Sequence, residues 1–124
     1  MIKSVGLADE SVVVREALNS SAITMFRQSP IIGKGLGNFL VNLPATLPSR
    51  QIYFLQPVHN MYLLLLSETG IIGFSVACLL FWRARKNIIL ILVLCIGFLD
   101  HYFLTLQQGQ LLLTIFFALS LYLG

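Results

Sequence analysis

Met61 to Trp82 is a run of 22 residues with a single charged side chain, Glu68. A helix of about 20 mostly apolar residues crosses the hydrocarbon core of a bilayer, so this run is long enough to span. Trp82 at its far end suits a membrane–water interface, where an amphipathic ring is favoured. The rest of the chain agrees with a membrane setting. Charged residues make up 10% of the sequence, apolar ones 57%, and the mean hydropathy is +0.87. A soluble domain carries about 25% charged residues. An ordinary soluble enzyme, a disordered chain and a disulfide-rich secreted scaffold are therefore excluded. At 124 residues there is room for one domain. With a net charge of +3 and no long basic run, the sequence shows no footprint for nucleic acid. The first thirty residues lack the apolar core and small-residue cleavage site of a signal peptide.

Two further apolar runs follow. One begins at Ile88, meets Asp100-His101-Tyr102 and continues through Leu104; the other is Leu111 to Leu123, extended backwards to Thr105. Each is short, and spans only if the polar residues at its outer end enter the interface. The expected architecture is an all-α membrane protein. About three transmembrane helices, near 61–82, 87–105 and 107–123, follow an extracytoplasmic helix and loop over residues 1–60. Arg83-Ala84-Arg85-Lys86-Asn87 places three positive charges in a short loop, which the positive-inside rule assigns to the cytoplasm. Residues 1–60 carry five basic residues of their own. Long outer segments translocate largely regardless of charge, so the short loop decides. Residues 1–60 and the Asp100–Gln110 stretch then lie on the outer side. Cys78 and Cys95 sit in apolar runs and read as small buried hydrophobes, neither a disulfide nor a metal pair.

In the outer segment, Val14, Leu18, Ala22, Met25 and Phe26 form an amphipathic stripe, which predicts a helix over Ser11 to Gln28. Ser11 is its expected cap, and Ser29-Pro30 ends it. Pro30 to Phe39 follows, with Gly33, Gly35 and Gly37 at every second position. This is either a tight turn packed on the membrane helices or a nest of amides beside Lys34 that holds an anion. It is not a Walker loop, for no Gly-Lys-Ser/Thr ends it. Residues 40–56, with Pro44, Pro48, Ser49, Arg50, Gln51 and Gln56, read as a loop.

Polar residues collect around one end of the runs. His59, just before the first span, can exchange a proton near neutral pH, or serve only as a local hydrogen-bonding group. Glu68 lies two turns into the span, where a carboxylate must be paired or face a polar cavity. It reads either as a site residue or as a structural bond to a neighbouring helix. Gly70, Gly73 and Ala77 make a small-residue face suited to close packing. Asp100, His101, Gln107, Gln108 and Gln110 lie on the side of His59. Together they would bind a polar ligand such as a sugar, or form a hydrated turn.

Three stretches carry a resemblance: Arg15-Glu16-Ala17-Leu18-Asn19, the Pro30-Ile31-Ile32-Gly33-Lys34-Gly35-Leu36-Gly37 turn, and His59-Asn60 opening a helix with Glu68-Thr69-Gly70 two turns in. In this order and spacing, over about residues 11–82, they resemble the O-antigen ligase family. That family includes O-antigen ligases, O-antigen polymerases and bacterial protein O-oligosaccharyltransferases. The resemblance implies a glycosyltransferase of lipopolysaccharide or polysaccharide biosynthesis in the cytoplasmic (inner) membrane, multi-pass, with its site facing outside. It would move a glycan from a polyprenyl-diphosphate carrier to an acceptor hydroxyl on a glycan, lipid or protein. His59 matches the family's loop histidine, a general base on the acceptor hydroxyl. Arg15 matches its arginine, whose guanidinium suits a diphosphate. Lys34, Asn60, Glu68, Asp100 and His101 complete the expected substrate-binding set. No cofactor and no metal are implied, and the sequence offers no convincing metal cluster.

Two departures accompany the match. Leu18-Asn19 stands where the family often has tryptophan, and the family crosses the membrane many more times than three apolar runs allow. The chain thus corresponds to a C-terminal portion: a fragment of a longer enzyme, a degenerate protein or one part of a split one. Catalysis is expected of the full-length protein rather than of this portion alone. A non-catalytic membrane protein that binds glycolipid or assists assembly is the alternative. A channel or transporter subunit is the weaker third reading, since no inverted repeat is visible.

Overall fold

The computed structural model describes residues 7–47 and 55–123. Its described residues form helices α1 (Leu7–Gln28), α2 (Phe39–Thr46), α3 (Met61–Arg83), α4 (Ile88–Ile96), α5 (Tyr102–Thr105) and α6 (Gln107–Leu123), with no strand among them. In α1 the expected stripe faces inward: Leu18, Ala22 and Met25 are buried, and Val14 packs beside them. The helix ends at Gln28, before Ser29-Pro30, where the Ser29 amide still reaches back to Met25 and Phe26. It starts a turn earlier than Ser11, so Ser11 lies inside the helix and does not cap it.

The loop expected over residues 40–56 is in part a helix. Phe39 and Leu43, four apart, bury the same face of α2 against Leu18 and Met25 in one core cluster with Val58 and Leu64. That burial offsets the helix-breaking tendency of Pro44, which has no amide to bond the carbonyl four residues back. Ser21 of α1 donates its hydroxyl to the Thr46 carbonyl at 3.2 Å and ties the end of α2 down. Pro48, Ser49, Arg50 and Gln51 lie outside the described residues.

α3 has 23 residues and is the one described helix with the length and apolarity of a membrane span. It is not a straight rod. Gly70 adopts φ 64° and ψ −166°, so the helix breaks between a half ending at Thr69 and another starting at Ile71. Among the described residues, the two further full spans expected from the sequence are not seen. α4 has nine residues, about 14 Å at 1.5 Å per residue. α6 has 17 residues, but its first turn is Gln107-Gln108-Gly109-Gln110. The stretch 87–105 is divided because the chain leaves the helix after Ile96, where the Gly97 carbonyl is taken by the Met61 amide at 2.8 Å.

Arg83 to Asn87 makes the expected short turn. Asn87 caps α4 by accepting from the Ile89 and Leu90 amides, and the Arg85 guanidinium lies 5.1 Å over the Trp82 ring. Ser120 of α6 donates to the Ala84 carbonyl and closes this end. Cys78 and Cys95 are free thiols, but exposed rather than buried. They share open helix faces with Val76, Leu79, Ile91 and Leu92, each at least 39% exposed. Apolar surface this continuous is what lipid or further helices cover.

Candidate functional site

The glycine turn and the break in α3 form one interlocked unit. A helix bent at Gly70 frees the Ser67 and Glu68 carbonyls and the Ile71 and Ile72 amides from one another. The turn supplies partners for all four. Lys34 N donates to Ser67 O at 3.0 Å, and Gly35 N donates to Glu68 O at 2.8 Å. On the other side, Ile71 N donates to Pro30 O at 2.9 Å, and Ile72 N donates to Ile31 O at 3.3 Å. Buried backbone groups must be paired, and this need is strictest in an apolar setting. The turn therefore sits in the gap it helps to open. Two glycines make the approach possible. A Cβ on Gly33 would lie 2.3 Å from the Glu68 carbonyl group, and one on Gly70 would lie 2.4 Å from Ile31 O. Both have positive φ, 69° and 64°.

The amides that could have formed an anion nest are aimed at an anion of the chain itself. Glu68 accepts from Gly37 N through Oε2 at 2.9 Å and from Phe39 N through Oε1 at 3.0 Å. Its carboxylate, 8% exposed, thus stands at the N-terminus of α2, where negative charge is favoured. Lys34 is half-buried beside it, with its backbone engaged on both sides.

A second polar centre lies at the start of α3. The Asn60 side chain caps the helix, accepting from Tyr62 N at 2.9 Å and Leu63 N at 3.0 Å, while its amide donates to Phe98 O at 3.3 Å. With the Met61–Gly97 bond, this fixes the break after α4 against the entrance of α3. Asp100 and His101 are thereby brought to His59. His59 Nδ1 lies 4.0 Å and His101 Nε2 lies 3.8 Å from the same Asp100 oxygen, Oδ1. That oxygen is anchored by the His101 amide at 2.7 Å. The imidazoles are 5.4 Å apart between centroids.

His101 is 6% exposed, whereas the His59 and Asp100 side chains are 21% and 28% exposed and remain reachable. His101 lies outside Met61–Arg83. Burial pushes its imidazole below the ordinary histidine value; Asp100 opposes this and His59 adds to it. His101 Nδ1 is 2.7 Å from Thr105 Oγ1. Thr105 also lines a cavity of about 490 Å³ bounded by Leu36, Phe39, Leu65, Glu68 and Gln110. The chemical consequence is a reachable histidine beside a carboxylate, next to a largely apolar chamber.

Arg15 is not part of this centre. It sits on the exposed face of α1 and makes no ion pair among the described residues. The convergence of His59 with Asp100 and His101 has no signal in spacing, since 41 positions separate His59 from Asp100. Only their expected placement on one side of the membrane hinted at it.

These features find their counterpart in a known family. A family model described as O-antigen ligase matches residues 1–78. The chain belongs to this family, which is membrane-associated and works on glycans and lipid-linked substrates. The match takes in Arg15, the glycine turn, His59, Asn60 and Glu68, and stops before Asp100 and His101. No curated protein and no solved structure matches the chain.

Proposed function

We propose that the chain is the C-terminal part of a membrane glycosyltransferase. It takes part in moving a glycan from a polyprenyl-diphosphate carrier to an acceptor hydroxyl at the outer face of the inner membrane. The observation that carries the reading is the pairing of a reachable His59 with the Asp100 carboxylate at 4.0 Å. In this scheme the acceptor hydroxyl gives its proton to His59 as its oxygen attacks the anomeric carbon. The diphosphate leaves with the electrons of the broken bond, and Asp100 stabilises the imidazolium that forms. Arg15, exposed on α1, is free to meet the leaving diphosphate as a two-oxygen donor. Family membership supports the reaction class, and the cavity beside Thr105 supports an apolar portion of a substrate lying close to the histidine.

The test is glycan transfer by the complete protein in membranes, from a polyprenyl-diphosphate glycan. His59→Ala is expected to lower the rate by at least about 100-fold, the lower range for loss of a general base. Transfer at the unmodified rate would remove His59 as the base.

A further inference from the structure

We propose that His59, Asp100 and His101 form a binding site for a divalent transition cation of the zinc class. The inference starts from three ligand atoms gathered at one place. His101 Nε2 lies 3.8 Å from Asp100 Oδ1, and His59 Nδ1 lies 4.0 Å from the same oxygen. On the far side of the His101 ring, Nδ1 is 2.7 Å from Thr105 Oγ1. A hydroxyl there can accept from Nδ1–H, the tautomer that leaves the Nε2 lone pair for a metal.

The donor set and its support are those of a metal site. One ligand atom from each of the three residues lies within 4.8 Å of the others. Two imidazoles and one carboxylate suit zinc and its neighbours, with a fourth position left open. Metal-binding histidines commonly give their second ring N–H to a fixed acceptor, and Thr105 Oγ1 is in place to be that acceptor for His101. A tetrahedral ion with bonds of about 2.0–2.1 Å needs ligand atoms about 3.3 Å apart, so the set must draw in by about an ångström. The burial pattern allows it: His101 is fixed, while His59 and Asp100 are partly exposed side chains at the edge.

The experiment titrates cobalt(II), a visible reporter for zinc sites, into the full chain held in lipid nanodiscs. One cobalt per chain is expected, with the strong visible absorption of a low-coordinate ion. Asp100→Asn, nearly isosteric and still able to accept from the His101 amide, and His101→Ala are each expected to abolish that absorption. Thr105→Val is expected to weaken binding by about tenfold, as loss of an orienting partner does. Absence of the absorption, or its persistence in Asp100→Asn, overturns the proposal. Should His101→Ala fail to fold, Asp100→Asn decides alone. The inference does not rest on the transfer reaction: cobalt binding without transfer leaves it standing, and transfer without cobalt binding removes it alone. Where both hold, zinc on His59 Nδ1 takes the lone pair a base needs, so added zinc inhibits transfer and a chelator restores it.

Discussion

Two carboxylates serve this chain in opposite ways. Glu68 lies two turns inside α3, and both its oxygens accept from backbone amides, Gly37 at 2.9 Å and Phe39 at 3.0 Å. Asp100 lies in the break between α4 and α5. One of its oxygens is anchored by the His101 amide, then faces two imidazole nitrogens at 3.8 and 4.0 Å. The first arrangement is buried, with each oxygen held by a backbone amide at the edge of the cavity. The second is open by design of its neighbours: it is half-exposed, and the distances exceed direct hydrogen bonds. A carboxylate in an apolar run is thus weak evidence of a substrate site when backbone donors converge on it. Its counterpart near histidines, left underbonded, is where chemistry can take place.

The contrast can be broken or sharpened by substitution. The largest effect is expected at Gly70. A methyl group there would meet Ile31 O at 2.4 Å in a backbone with φ 64°. Gly70→Ala should therefore cost more than about 4 kcal/mol, or prevent folding, because backbone cannot yield as a flexible side chain does. Chemical unfolding in mixed micelles, followed by far-ultraviolet circular dichroism, measures it. A wild-type midpoint would mean that the turn does not sit in the break of α3.

Glu68→Gln should come next, losing about 2 kcal/mol in the same measurement. The side-chain NH2 would face an amide N–H where a carboxylate oxygen now accepts, and two charge-assisted bonds would weaken. An unchanged midpoint would place Glu68 outside the scaffold. The smallest effect on stability belongs to Asp100→Asn, within about 0.5 kcal/mol, because the anchoring bond from the His101 amide survives. A loss as large as that of Glu68→Gln would abolish the distinction between the two carboxylates.

Much of the scaffold could be read before any coordinates. The stripe Leu18, Ala22, Met25 faces the core as its spacing requires, Ser29-Pro30 stops α1, and the basic stretch after Trp82 forms a short turn between α3 and α4. Local chemistry decides these features, so a local reading finds them. α2 escaped notice because Pro44 and the loop-like composition around it argue against a helix. Its stability comes from Leu18 and Met25, in the preceding helix, and from the Glu68 carboxylate at its start. Cys78 and Cys95 were misplaced because hydrophobicity says a side chain avoids water, not whether protein or lipid covers it.

What the sequence by itself determined is therefore the helical, apolar character of the chain and its family. It could not determine which polar groups would be consumed in holding the fold. The glycine pattern admitted both a tight turn and an anion nest, and only the break at Gly70 turned its amides onto Glu68. Nor could the sequence bring His59 to Asp100, since the link runs through two bonds, Met61 N to Gly97 O and Asn60 to Phe98 O. The reason is physical. Periodicity and propensity act over a turn or two of chain, whereas the pairing of a freed backbone group is settled by whatever the tertiary fold places opposite it.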